Sequence, residues 1–171
     1  MVVGALRNNN SVCRVVFPGD EEFVTISGVT YFKIKPLAAQ HQRTFQEITV
    51  IDPATLVLFT GSTPARSRVA LWAQARVAFI TPQVLRNDVD RGRYSMENVV
   101  LLVVDEAHHA VGKYAYTSVI DMYRSQAGDP RVLGITASPG GTKEKIEVVA
   151  RNLGFSKIEV RTDSSPDFNL Y

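Results

Sequence analysis

Two adjacent carboxylates, Asp105 and Glu106, follow an uninterrupted apolar run at residues 99–104. Such a run is typical of a strand that is buried on both faces of a parallel sheet. An acid at the end of this strand can hold Mg²⁺ beside nucleotide phosphates, and its neighbour can orient and deprotonate an attacking water. The pair is therefore compatible with phosphoryl-transfer chemistry, but an isolated Asp-Glu pair would more often only cap the strand, and the run Asp105-Glu106-Ala107-His108 favours the functional interpretation.

The surrounding segments alternate between strand-like and helix-like patterns from residue 37 onward. Apolar runs predict strands, and periodic runs that begin at the caps Thr63 and Thr142 predict two of the helices. The predicted strands are 56–59, 77–80, 99–104, 132–135 and 157–160, and the predicted helices are 37–47, 64–75, 82–90, 117–125 and 142–153. This alternation predicts an α/β fold with a parallel sheet sandwiched by helices, whose ligands bind beyond the carboxyl ends of the strands.

The first 36 residues break this alternation. Residues 12–17 predict a strand, and two β-rich runs at 23–27 and 30–34 flank Gly28-Val29. A glycine followed by any residue between two such runs is typical of a two-residue hairpin turn. We therefore expect an atypical β-hairpin in the N-terminal part of the chain.

Composition limits the class of protein. The 171 residues are 45% hydrophobic and 21% charged, which is ordinary for one globular domain, and the formal charge of +2 neither requires nor excludes nucleic acid. The single cysteine, Cys13, allows no internal disulfide and favours a reducing, cytoplasmic setting. The first apolar residues are too few for a signal peptide or a membrane span, so we expect no membrane partner.

Several short motifs occur in order along the chain. Asp105-Glu106-Ala107-His108 resembles motif II of the superfamily 2 helicases. The further matches are Lys35-Pro36-Leu37 with Gln40 and His41 for motif Ia, Thr60-Gly61 for motif Ib, Thr81-Pro82-Gln83 for motif Ic and Thr136-Ala137-Ser138 for motif III. The stretches "DEAHHAVGKYAY", "ITASPGGTKEKI" and "NLGF…SSPD" are similar to the helicase family of archaeal Hef and the Fanconi anaemia group M protein.

This resemblance implies a fold, an activity and a set of site residues. It implies the first RecA-like motor domain, of the P-loop NTPase type, of an ATP- and Mg²⁺-dependent DNA translocase acting on single-stranded, branched or forked DNA. Asp105 would be the Mg²⁺ ligand, Glu106 the base for water, and His108 a third catalytic residue. The residues Thr136, Ala137 and Ser138 would couple nucleotide state to DNA, and the single-strand path would be lined by Lys35, Gln40, Thr60, Gly61, Thr81, Pro82 and Gln83.

Each match also has a plain structural interpretation. Thr81-Pro82 is a common helix start, and Thr136-Ala137-Ser138 is also compatible with a simple turn after a strand. For Trp72 we expect packing within the protein rather than stacking on a base. The remaining candidates for DNA contact are equally compatible with solvated surface charges, and they are Arg66, Arg68, Arg76, Arg91 and Arg93.

The family's phosphate-binding loop, G-x-x-x-x-G-K-[ST], does not occur in this sequence. Its place follows the first predicted strand, where Gly19 precedes three acids, Asp20, Glu21 and Glu22, which would repel a triphosphate. We therefore expect one domain over residues 1–171, with a degenerate motif I region at 1–34, a family-like part at 35–171 and no second motor domain.

Three interpretations follow. The chain either needs a separate polypeptide with the second motor domain for ATP turnover, or is a non-enzymatic module that binds DNA or a protein. An unrelated phosphate binder is disfavoured, because several motifs occur in order. A shared sheet edge at the predicted hairpin would also allow a homo-oligomer.

Overall fold

The computed structural model describes residues 14–18, 23–26, 29–32, 37–112, 115–137 and 142–159. The strands are β1 (Arg14–Pro18), β2 (Phe23–Ile26), β3 (Val29–Phe32), β4 (Leu56–Phe59), β5 (Val77–Ile80), β6 (Val99–Val104) and β7 (Val132–Gly134). The helices are α1 (Leu37–Ile48), α2 (Ala65–Gln74), α3 (Pro82–Asp90), α4 (Ala115–Gln126) and α5 (Lys143–Leu153). Two short 3-10 helices lie at Pro53–Thr55 and Ala107–His109.

Five of the strands form one parallel sheet in the order β4-β5-β1-β6-β7. β1 lies in the centre and pairs with β5 on one side and with β6 on the other. Because all five strands run in the same direction, their carboxyl ends lie at one edge of the sheet. The predicted α/β fold with a parallel sheet is confirmed.

The side chains of β4 alternate between two apolar layers, as expected for a strand that is buried on both faces. Leu56 and Leu58 pack with Ala38 of α1 on one face of the sheet. Val57 and Phe59 belong to a larger core on the other face, which also contains Trp72, Leu85, Tyr116, Ile120 and Leu153 from α2, α3, α4 and α5. Helices therefore cover both faces of the sheet.

The two predicted helix caps have different outcomes. Thr142 caps α5, since its side chain accepts a hydrogen bond from the Lys145 N–H at 3.4 Å, and Gly154 ends this helix in the left-handed conformation at φ 62°. The prediction for Thr63 is wrong, because Pro64 occupies the N-cap of α2 and makes no side-chain cap. The Thr63 hydroxyl instead accepts a hydrogen bond from the Thr60 N–H at 3.2 Å.

The N-terminal hairpin is confirmed, but its turn is shifted from the predicted place. β2 and β3 pair antiparallel, with Phe23 opposite Phe32 and Ile26 opposite Val29. The prediction of a turn at Gly28-Val29 is wrong, because Val29 already belongs to β3 and the residues between the paired strands are 27 and 28.

The strand predicted at 157–160 is not formed by residues 157–159, and residue 160 lies outside the described ranges. Lys157 and Glu159 are exposed and pair with each other at 3.6 Å, and Ile158 is 53% exposed. Because a strand is stabilised chiefly by side-chain packing against a sheet face, β propensity alone does not form one here. Among the described helices, none has the length and apolar character that crossing a membrane requires.

Gly134 of β7 lies against the segment that follows β6, and Gly134→Ala is expected to destabilise the fold by about 1–3 kcal/mol through overpacking. An added Cβ would meet Cε2 of the Phe155 ring at 2.7 Å and Cβ of Ala107 at 3.1 Å. In the control Gly128→Ala nothing lies within 4 Å, so its stability should stay within about 1 kcal/mol of the unmodified chain. Urea unfolding measures both, and equal stabilities would contradict this packing.

Candidate functional site

The candidate site lies where the parallel strands end. The residues that directly follow β4, β5, β6 and β7 are Thr60, Thr81, Asp105 and Ile135. The Thr81 N–H donates to the Phe59 carbonyl at 3.2 Å, and the Ile135 N–H donates to the Val104 carbonyl at 2.8 Å. These bonds hold the loops of neighbouring strands against each other, so the sheet brings together residues that are far apart in the sequence.

Asp105 uses both of its carboxylate oxygens. Oδ2 accepts a hydrogen bond from Nε2 of His41 at 2.7 Å, and Oδ1 accepts one from the Glu106 N–H at 2.9 Å. The hydrogen bond from His41 lowers the pKa of the Asp105 carboxyl from its usual value, and burial opposes this effect without reversing it. Asp105 is therefore ionised at neutral pH, and it fastens α1 to the end of β6.

His41 is a site residue whose role the sequence did not indicate. It falls in the stretch that resembles motif Ia, yet it lies 64 positions from Asp105, and no local spacing predicts this contact. The packing of α1 on the sheet explains it, because Gln42 of the same helix donates to the Leu56 carbonyl at 2.7 Å and fixes α1 against β4. Gln40, a predicted DNA-contact residue, is exposed on α1.

Glu106 lies in a tight turn after β6. It is the one non-glycine residue with positive φ in the described part of the chain, at φ 48°. This conformation is costly for a residue with a side chain and persists where surrounding contacts hold it. The Tyr116 hydroxyl donates to the Asp105 carbonyl at 3.0 Å, and the His109 N–H donates to the Glu106 carbonyl at 2.9 Å.

His108 connects the acidic pair to the loop after β7. Its Nδ1 lies 2.9 Å from Oγ1 of Thr136 and 3.2 Å from Oε2 of Glu106. The Ala107 N–H also donates to the Ile135 carbonyl at 3.0 Å. The structure thus brings Thr136, predicted to couple, into contact with His108, predicted to be catalytic, although 28 positions separate them.

The described residues supply part of a site for Mg²⁺ and a nucleotide, namely the carboxylates Asp105 and Glu106. Mg²⁺ requires near-octahedral oxygen coordination, and nucleotide phosphates require the N–H groups and lysine of a glycine-rich loop. The described ranges contain no group of three or more His, Cys, Asp or Glu side chains that could hold a metal ion, and both Asp105 oxygens already accept hydrogen bonds. The sequence after β1 supplies Asp20, Glu21 and Glu22 where the lysine would stand.

The turn at 60–63 is closed by its own hydrogen bonds. The Thr63 N–H donates to the Thr60 carbonyl at 3.0 Å, and the hydroxyls of Thr60 and Ser62 lie 2.7 Å apart. Gly61 and Ser62 are exposed. The next helix, α2, has no side-chain cap. The backbone N–H groups of its first turn are therefore available to bind an anion.

The start of α3 lies beside that turn. Thr81 is its N-cap and Pro82 its first residue, and no side-chain hydrogen bond caps this helix either. Thr81 and Pro82 are buried and therefore position the helix start, whereas Gln83 is exposed. Two helices without side-chain caps thus follow neighbouring strands at the same edge of the sheet, and the N–H groups and dipoles of helix N-termini favour phosphate.

A buried carboxylate, Asp88 of α3, lies behind these two loops. Arg68 of α2 donates to it through Nε at 2.6 Å and through Nη2 at 2.7 Å, and the Tyr94 hydroxyl donates at 2.9 Å. Arg93 forms a further ion pair with Asp88, so Arg68 and Arg93 are not the solvated charges that the sequence favoured. We refer to Asp88, Arg68, Arg93 and Tyr94 as the Asp88 cluster.

Burial acting alone would raise the pKa of Asp88, but the hydrogen bonds from Arg68, Arg93 and Tyr94 outweigh it and lower this pKa. The carboxylate therefore contributes stability that is present above its unfolded pKa of about 4 and is lost as the pH falls through the lower folded pKa.

Residues 60–93 contain six arginines and two aspartates but no lysine or glutamate, a net +4 in a chain of net +2. With Asp88 neutralised internally, Arg66 and Arg91 remain exposed.

Some predicted site residues cannot be placed. Lys35 and Ser138 lie outside the described residues, as do residues 19–22, and Ala137 is exposed beside Thr136. Trp72 is buried and stacks on Tyr94 with ring centroids 4.2 Å apart, which confirms that it packs.

Comparisons with known proteins agree with this architecture. A family model described as DEAD/DEAH box helicase matches residues 24–146. The chain is 40% identical over 147 residues to the ATP-dependent DNA helicase mph1 of Neurospora crassa, covering 86% of this chain and 13% of that protein. It is 44% identical over 137 residues to the ATP-dependent DNA helicase MPH1 of Pyricularia oryzae, covering 80% of this chain and 12% of that protein.

A solved structure also matches. The crystal structure of the Pyrococcus furiosus Hef helicase domain superposes with a TM-score of 0.81 at 40% identity, covering 93% of this chain and 30% of that one. The sheet and its helices are therefore those of a RecA-like helicase domain. The chain spans a small part of the length of the relatives it matches.

Removing the Thr136 hydroxyl tests the link between His108 and the loop after β7. Thr136→Val is expected to lower the free energy of unfolding by about 1 kcal/mol and to move the imidazole ¹⁵N signals of His108. Thr44→Val, at an exposed position of α1, is the control and should leave those signals in place. Imidazole ¹⁵N NMR with urea unfolding measures both effects. Unchanged His108 signals in Thr136→Val would contradict the contact.

Proposed function

Because this chain belongs to the DEAD/DEAH box helicase family, we propose that it is a DNA-binding domain of Hef-like helicases that holds the single-stranded backbone of branched or forked DNA. The observation that carries the proposal is that two helices without side-chain caps, α2 and α3, follow the neighbouring strands β4 and β5. Each follows a small polar turn at the same edge of the sheet, and this segment concentrates the positive charge of the chain.

Phosphate recognition suits these groups. Backbone N–H groups, hydroxyls and helix N-termini account for many contacts to nucleic-acid backbones, and they carry no sequence preference. Gly61, Ser62 and Gln83 are exposed at the two loops, and Arg66 lies in the first turn of α2. A DNA ligand and the single Cys13 are consistent with a reducing compartment inside the cell.

We further propose that the chain by itself does not turn over ATP. The sequence has no phosphate-binding loop, and three acids stand where its lysine would be. Asp105, the expected Mg²⁺ ligand, instead anchors His41. In this proposal motif II stabilises the domain rather than catalysing hydrolysis.

A second candidate function is a split ATPase, in which a further polypeptide supplies the phosphate-binding lysine and completes the nucleotide site. The intact run Asp105-Glu106-Ala107-His108 favours it, together with the contact between His108 and Thr136. This contact would link a nucleotide site to the loop after β7, which a module that only binds DNA does not require.

Salt-dependent binding tests the DNA role. Fluorescence anisotropy with a labelled oligothymidine should show binding that weakens steeply between low and physiological salt, because phosphate contacts release counterions. Arg66→Ala should reduce the slope of log K against log salt by about 1. Arg131→Ala removes the same charge from a side chain that is 73% exposed and paired with Asp129, so it is the control and should leave the slope unchanged. Absence of binding even at low salt would exclude the DNA role.

Phosphate release tests the absence of turnover. The chain with forked DNA, Mg²⁺ and ATP should release phosphate no faster than the variant Asp105→Ala/Glu106→Gln, because the lysine that reaches the terminal phosphates is missing. Release above that variant would contradict the proposal and favour the split ATPase. The same assay with a separately expressed polypeptide that carries the phosphate-binding lysine measures complementation.

A further inference from the structure

The Asp88 cluster contains a buried ion pair that joins α2 to α3. The Asp88 side chain is 0% exposed and that of Arg68 is 8% exposed. Buried ion pairs lose most of their attraction to desolvation, and apolar side chains of similar volume often serve a core as well. A buried pair with this geometry can instead fix the position of one helix relative to another.

The contacts of Arg68 lead from α3 to the turn at 60–63. Its guanidinium is planar, with a bidentate face on Asp88 at 2.6 and 2.7 Å. The remaining nitrogen, Nη1, donates to the Thr63 carbonyl. Thr63 in turn accepts the Thr60 N–H on its hydroxyl and donates its own N–H to the Thr60 carbonyl. One rigid group therefore connects the last turn of α3 to the turn at 60–63.

The other members of the cluster hold Asp88 itself. Arg93 and Tyr94 donate to its two oxygens, and the Arg93 N–H donates to the Asp88 carbonyl at 2.9 Å. Tyr94 also stacks on Trp72 of α2. Asp88 therefore stays in place even when one donor is removed, so the contribution of Arg68 can be tested separately.

We propose that Arg68 and Asp88 are positioning residues that set the spacing between the turn at 60–63 and α3, and so the spacing of the phosphates that the domain grips. This inference rests on the proposed DNA-binding function. Neither side chain touches DNA in this account. They act through the Thr63 carbonyl and the backbone of α3.

The decisive variant is Arg68→Lys, which keeps the charge but not the geometry. A lysine ammonium cannot bind both Asp88 oxygens and the Thr63 carbonyl in one plane. Because net charge is unchanged, a change in DNA affinity cannot arise from charge number. The matched control is Arg131→Lys, the same substitution at a side chain that is 73% exposed and lies outside α2 and the two loops.

Two readouts are compared in folded protein well below the unfolding midpoint. Hydrogen exchange of the Thr63 amide reports the turn directly, and anisotropy with oligothymidine reports DNA binding. Arg68→Lys should speed exchange of the Thr63 amide and weaken DNA binding, each by about tenfold, as expected when a charge-assisted hydrogen bond is lost. Arg131→Lys should change neither by more than about twofold.

Arg68→Met serves as a second variant should Arg68→Lys fail to fold, because Asp88 keeps Arg93 and Tyr94 as partners and the apolar stem of the side chain remains. The same two changes are expected. Unchanged Thr63 exchange, or unchanged DNA affinity in a folded variant with faster exchange, would overturn the inference.

Failure of the proposed function gives a different result. If the unmodified chain binds no DNA, the DNA role is excluded, and the positioning role falls with it even where Thr63 exchange responds to Arg68→Lys. If the unmodified chain binds DNA and the variants bind equally well, the proposed function stands and only the positioning role is overturned.

Discussion

The pairing of five parallel strands is the interaction on which the rest of this structure depends. Because β4, β5, β1, β6 and β7 all end at one edge, the residues that follow them become neighbours without any local sequence relation. The backbone bonds from Thr81 to Phe59 and from Ile135 to Val104 continue the sheet into the loops. The loops are therefore held by the same ladder that forms the core, and the helices that follow begin at fixed positions.

Two aspartates near this edge each hold a helix in place through a hydrogen bond to its side chain. Asp105 fixes α1 through His41, and Asp88 fixes α2 through Arg68. In both cases hydrogen bonds to the ionised form outweigh burial and lower the pKa, so each anchor is charged at neutral pH. Asp105 stands where the family resemblance implies a Mg²⁺ ligand. Without a phosphate-binding loop, its strongest described partner is a histidine of the same chain.

Local sequence patterns predicted most strands and helices, but they did not predict the side-chain contacts between these elements. Apolar runs and caps predicted β4, β5, β6 and α3 at their observed bounds. This succeeded because a strand buried on two faces and a helix start are each determined by residues that are adjacent in the sequence. No strand forms at 157–159, where all three residues are exposed. His41 with Asp105, and Arg68 with Asp88, lie 64 and 20 positions apart, and only the packed sheet reveals them. The motif resemblance placed His108 and Thr136 in one site, and the structure adds the 2.9 Å contact that joins them.

The central claim is that this domain holds DNA at the ends of β4 and β5 rather than a nucleotide at the end of β6. Amide chemical-shift mapping of ¹⁵N-labelled protein tests it most directly, with oligothymidine added at low salt and Mg-ATP added in a separate titration. The account predicts that oligothymidine shifts the amides of Gly61, Ser62 and Gln83 and that Mg-ATP leaves Glu106 and His108 in place. Mg-ATP shifts at Glu106 and His108, with no oligothymidine shifts at the two loops, would contradict it.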